Sequence, residues 1–123
     1  MLLKNILFLA AGGAAGTILR YLGQKYISVG TSSFPYPTFL INVLGCFLIG
    51  ILYSIWVKNQ SANEDMRMLL MTGFCGGFTT FSAFSLEGMR LIQQEKILIF
   101  FVYFAASVII GLLATFAGAW LAR

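Results

Sequence analysis

Gly73-Phe74-Cys75-Gly76-Gly77-Phe78-Thr79-Thr80-Phe81-Ser82-Ala83-Phe84-Ser85 carries no charged side chain, yet it is a poor helix former. Two adjacent glycines and two adjacent β-branched threonines weaken a helix at its centre. Inside a bilayer, backbone groups released from a helix find no water. Broken backbone is tolerated there only against other protein, trapped water or an ion. The stretch therefore reads either as a helix break with a buried polar partner, for which a cation is one candidate, or as a continuous helix softened by glycine.

The rest of the chain makes the bilayer the natural solvent. Of its 123 residues 59% are hydrophobic and 10% charged, whereas soluble domains carry roughly a quarter of their residues as charge. Uncharged runs cover Asn5 to Leu19, Tyr26 to Val57, Met68 to Leu86 and Ile97 to Ala122, and a spanning helix needs about 20 mostly apolar residues. The pattern predicts an all-α membrane protein, one transmembrane domain over 1–123 with spans at 5–27, 38–57, 66–90 and 97–122. Pro35 and Pro37 mark the end of a loop, so Ser28 to Tyr36 is expected as a turn before a helix from Thr38. Lys58 to Asp65 separates the second and third spans, and Glu87 to Lys96 brings charge back before the fourth. The start, Lys4 followed by an apolar run, imitates a secretory signal peptide but reads as a retained first span. Four short helices enclose little lumen, so a transport path calls for more than one copy.

Net charge is +4, but the basic residues stand singly between apolar runs and form no nucleic-acid stripe. Cys46 and Cys75 lie in apolar stretches, where thiols act as small hydrophobes, and the chain has no His to complete a metal-ligand spacing. An even number of spans puts both termini on one side, with Lys4, Lys58, Arg67 and Arg123 there and Arg20, Lys25, Arg90 and Lys96 on the other. Because Lys and Arg excess orients membrane proteins, this balance predicts insertion both ways. The alternative is a weak bias, if Arg20 and Arg90 count less from within helices.

Polar and small residues inside the spans are the candidates for function. Gly12 and Gly16 form a GxxxG pair, as do Gly73 and Gly77, and the spacing lets another backbone approach closely; for the first pair ordinary helix packing is expected. Phe81 and Phe84 share a helix face, continuing a stripe from Phe74 and Phe78. The stripe reads as core packing or as ring edges able to solvate a small anion. Asn42 needs hydrogen-bond partners at its depth, either a neighbouring helix or a permeating anion, to which Thr38 one turn earlier can add a hydroxyl. Tyr103 and Ser107, one turn apart in the fourth span, mark an interface or a pathway. Arg20 is expected to snorkel to the interface or to draw anions to a vestibule. Glu87 is expected to sit at the water boundary or pair with a basic residue, ahead of binding a transported proton or cation.

Taken in order, Gly12-Gly13-Ala14-Ala15-Gly16 with Arg20-Tyr21, then Thr38-Phe39-Leu40-Ile41-Asn42-Val43-Leu44-Gly45, then Gly73 to Phe84, resemble the Fluc (CrcB) fluoride channels. The likeness runs through all four spans. It implies an antiparallel, dual-topology homodimer that passes cytoplasmic fluoride outward passively and confers fluoride resistance. It also implies two fluoride pathways and a central structural sodium ion held by backbone carbonyls of the two broken third helices. Residue by residue, it assigns fluoride contact to Asn42, Phe81 and Phe84, matches Tyr103 and Ser107 to a polar track in the fourth span, and gives sodium the carbonyls of Gly76 and Thr79. Thr38 and Arg20 join the expected pathway. The implied partners are fluoride, a second copy and the lipid of a bacterial inner membrane, and no nucleic acid. Pro37 and Ala83 depart from the family pattern, Ala83 removing a hydroxyl that many members carry.

The reading is of a channel and not an enzyme. No nucleophile paired with a base and no phosphate loop is evident, and the only acids are Glu64, Asp65, Glu87 and Glu95. A proton-coupled small multidrug exporter is the rival of similar size. Such exporters depend on an acid in the first span, and this chain has none before Glu64. A structural membrane subunit would give no reason for a broken third helix.

Overall fold

Residues 1–27, 33–59 and 63–123 are described by a computed structural model, and every regular element among them is helical. In chain order these are α1 (Leu2–Tyr26), α2 (Tyr36–Lys58), α3 (Glu64–Arg67), a π-helical stretch (Met68–Cys75), α4 (Gly76–Phe78), α5 (Phe81–Gln93) and α6 (Ile97–Leu121). Four helical segments are long and apolar enough to cross a membrane, the third running over Glu64–Gln93 with a bend inside it. Part of the turn expected before α2 (residues 28–32) and part of the polar link after it (60–62) lie outside the described residues.

Pro35 ends the loop as the N-cap residue of the second helix, which begins two residues ahead of the expected Thr38. Pro37 sits in the first turn of α2, where its missing N–H is one the helix would leave unbonded anyway. At the far end of the third span, Glu95 turns the chain with φ 60. The Glu95 N–H bonds the Ile92 carbonyl at 3.0 Å and the Lys96 N–H bonds the Leu91 carbonyl at 2.8 Å. This closes α5 in the Schellman manner and sends the chain directly into α6.

The expected interruption of the third span falls on Thr79 and Thr80, which are extended (ψ 156 and 121), while Gly76 and Gly77 remain helical. The threonines take the break because β-branched side chains suit extended backbone and a threonine hydroxyl can start the next helix. Thr80 does so, accepting the Ala83 N–H at 3.1 Å. The glycines are used for proximity. A Cβ on Gly16 would run into the Phe74 carbonyl, and one on Gly77 would lie 2.5 Å from the Gly13 carbonyl. Both GxxxG pairs thus bring α1 against the π-helical stretch and α4 within one chain, while α2 packs chiefly along α6. The π-helical stretch itself has no counterpart in the sequence reading.

Few large side chains are enclosed: Ile41, Phe78, Leu91 and Tyr103 are buried, whereas Leu98, Phe101, Ile109, Leu112 and Phe116 along α6 are exposed. Apolar surface of this extent is what lipid, or another copy, covers.

Candidate functional site

Breaking a helix frees carbonyl and amide groups, and where they go determines what the break can do. Asn42, in the second turn of α2, meets Thr80 from both sides. Its Oδ1 accepts the Thr80 N–H at 2.8 Å and its Nδ2 donates to the Thr80 carbonyl at 3.0 Å. The Thr79 N–H and hydroxyl both donate to the Cys75 carbonyl, at 3.0 and 2.8 Å. Arg20, from α1, donates its Nε to the Gly77 carbonyl at 3.0 Å. The contact suits the group, because a cation at the carbonyl end of a helix meets both an unpaired acceptor and the negative pole of the dipole.

Other carbonyls at the break remain unbonded among the described residues, those of Gly76 and Thr79 included. Among the described residues no backbone or side-chain donor is seen for the Gly76 or the Thr79 carbonyl, since the Thr80 and Ala83 amides that would ordinarily bond them are taken by Asn42 and by the Thr80 hydroxyl. A Cβ on Gly76 would meet nothing within 4 Å. Backbone carbonyl oxygens without protein donors are of the type that hard cations select.

Beside the break lies a mostly apolar cavity of about 440 Å³, onto which Asn42, Gly76, Thr79, Phe81, Phe84 and Ser107 all face. These expected residues come from α2, both sides of the break and α6. Phe81 is 78% exposed, so its ring is not core packing within one chain. Phe81 and Phe84 are 5.6 Å apart between centroids, and Phe84 meets Tyr103 edge-on at 5.0 Å. The Ser107 hydroxyl is buried and has no partner among the described residues, an arrangement that costs about 1–3 kcal/mol unless something else bonds it.

Thr38 and Tyr103 are not on this cavity. They form a second cluster with Glu87: Thr38 Oγ1 donates to Glu87 Oε1 at 2.5 Å and the Tyr103 hydroxyl donates to Oε2 at 3.2 Å. Gln24 Nε2 donates to Thr38 Oγ1 at 3.2 Å. Of the places expected for Glu87, the water boundary or a basic partner, the structure shows no ion pair among the described residues and gives the carboxylate hydroxyls. Its side chain points between helices, where Thr38 and Tyr103 are the donors within reach. Gln24 and the contacts of Thr80 escaped the sequence reading. For Thr80 a signal was present, a threonine opening a helical run, which is the N-cap pattern; for Gln24 nothing sets its amide apart.

A bundle of four apolar spans, with a helix break held by side chains from its neighbours and an apolar cavity against it, is that of a multi-pass membrane protein. The comparison with known proteins narrows the class. The family described as "CrcB-like protein, Camphor Resistance (CrcB)" matches residues 7–119, and the chain belongs to this family. A "Fluoride-specific ion channel FluC" from Flavobacterium psychrophilum is 42% identical over 125 residues, covering 98% of each chain. Proteins of the same name from Phocaeicola vulgatus (42% identical, 98% of this chain and all of the relative) and Rhizobium etli (43%, 91% and 90%) are similar over almost the same extent.

Proposed function

We propose that this chain is one subunit of a fluoride-selective channel that lets cytoplasmic fluoride leave passively across a bacterial inner membrane and so confers fluoride resistance. The observation that carries the reading is the cavity at the break, where Asn42, the rings of Phe81 and Phe84 and the unpartnered Ser107 hydroxyl come together. Fluoride is small and strongly hydrated, and it enters an apolar constriction only if protein donors replace its water weakly enough to release it again. An amide nitrogen carries two hydrogens. One of those on Asn42 holds Thr80, which leaves the other for an anion. The relatives named as fluoride channels support the choice of ion.

The functional unit is an antiparallel homodimer of oppositely inserted copies, each a single transmembrane domain over 1–123. Supporting it are the even split of basic residues between the two sides, the exposure of Phe81 and the openness of the cavity to a further wall. The carbonyls of Gly76 and Thr79, lacking protein donors, fit a structural sodium ion shared between two copies. When bound, the ion supplies a fixed positive charge that ties the two breaks together. Arg20 contributes by holding the Gly77 carbonyl beside them.

The test is fluoride efflux from liposomes containing only the purified chain, with chloride as the control ion. Efflux confined to fluoride is expected, and no efflux above protein-free liposomes would reject the reading. Reporters at both termini should be found on both sides of one membrane. A single orientation would remove the antiparallel dimer while leaving the channel.

A further inference from the structure

The Glu87 carboxyl has no part in the pathway described above, yet it is the one acidic group seated among the hydroxyls of the bundle interior. Thr38 and Tyr103, 2% and 0% exposed, both give it their hydroxyl hydrogens. Gln24 occupies an acceptor position on the Thr38 oxygen and so orients that hydroxyl's hydrogen toward the carboxylate. A hydroxyl has a single hydrogen. Neither Thr38 nor Tyr103 can therefore donate to a passing anion while it donates to Glu87. The carboxylate accepts only, as fluoride does, and two like charges in one small site repel strongly.

On its other side Glu87 faces a cavity of about 150 Å³ shared with Ser33, Pro35, Arg90, Leu91 and Gln94. Arg90 follows Glu87 by one helical turn on the same face, close enough to receive the carboxylate if it leaves the hydroxyls. Lys96 Nζ donates to Ser33 at 2.7 Å and adds a second cation at this end. The charged and titratable groups about Glu87 are thus Arg90 from its own helix, Lys96 at Ser33 and Tyr103 from α6, while α1 and α2 present the neutral Gln24 and Thr38. Through Tyr103 and the edge-on ring of Phe84, the hydroxyl cluster adjoins the larger cavity at the break.

We propose that Glu87 is a tethered anion: its carboxylate occupies the hydroxyl pair of Thr38 and Tyr103, and a permeating anion takes that place only when the carboxylate swings toward Arg90 or is protonated. This rests on the fluoride-channel reading and adds an internal competitor to it. It also orders events, because the two hydroxyls become anion donors only after Glu87 has left them.

Fluoride efflux from liposomes, measured against fluoride concentration at neutral and mildly acidic pH, tests this in the parent and in Glu87→Gln. The glutamine keeps the shape and removes the charge. The half-saturating fluoride concentration should fall roughly tenfold in the variant, a typical size for coupling between two sites, and should lose the pH dependence the parent displays. In a protein whose other side-chain acids are replaced (Glu64→Gln, Asp65→Asn, Glu95→Gln), fluoride should shift the carboxylate infrared band, a response that a merely structural glutamate lacks. Superimposable efflux curves together with an unresponsive band would overturn the proposal and leave the channel intact. If Glu87→Gln does not assemble, the infrared measurement decides alone. A parent that passes no fluoride rejects the channel, and this proposal with it.

Discussion

Asn42 holds Thr80 by both of its backbone groups, accepting the N–H at 2.8 Å and donating to the carbonyl at 3.0 Å. An amide side chain imitates the missing turn of helix here, supplying one donor and one acceptor where the third span has neither. The residue that the family likeness assigns to the ion is thus also the residue that keeps the break in shape.

Asn42→Asp preserves size and the acceptor, but it removes the donor to Thr80 and places a carboxylate at the cavity. We predict a loss of fluoride efflux together with a fall in stability of about 1–3 kcal/mol, the cost of leaving a buried carbonyl unbonded. Efflux and thermal unfolding measured side by side check this. A variant as stable and as conductive as the parent would show that the clasp is dispensable and that no anion passes Asn42.

Phe81→Ile should leave the subunit fold untouched, because the ring is exposed within one chain. Efflux should slow, since the replacement keeps apolar bulk and removes the electropositive ring edge. If the dimer persists on size-exclusion chromatography and fluoride flows at the parent rate, Phe81 serves assembly alone.

Arg20→Gln takes a cation from the Gly77 carbonyl at the end of α4. A charged hydrogen bond is worth about 1.5–3 kcal/mol, so the unfolding midpoint should fall measurably, with Arg20→Lys recovering part of the loss through its charge. Equal midpoints for all three proteins would mean that the contact contributes nothing.

Gly76 and Gly77 are adjacent and should respond in opposite ways. Gly77→Ala forces a methyl against the Gly13 carbonyl, and overpacking of this kind costs about 1–3 kcal/mol. Gly76→Ala meets open space within the subunit, so any harm should appear in dimerisation or sodium dependence and not in the fold of the single chain. Equal destabilisation of isolated subunits by both changes would contradict the packing described here.

What the amino-acid sequence determined by itself was the class and the weak stretch of the third span, not whether or where the helix breaks. Long uncharged runs admit only spanning helices, because every backbone group must be bonded within the segment, and paired threonines after paired glycines leave one weak point in the third run. An amide, a hydroxyl and a row of phenylalanines were conspicuous against aliphatic surroundings, but that Asn42, Ser107, Phe81 and Phe84 share a cavity while Thr38 and Tyr103 lie off it was not. Partners were not legible, because hydrogen bonds across helices depend on rotation and depth that spacing along one helix does not encode. Only the tertiary structure decided that Thr79 and Thr80, and not the glycines, leave the helix, since a Cβ on Gly77 would collide with α1 whereas Thr80 finds Asn42 on α2. It decided as well that Arg20 faces a carbonyl inside the bundle and that Thr38 and Tyr103 meet on Glu87, because each of these polar groups, kept from water by the packing of its neighbours, bonds the nearest complementary group.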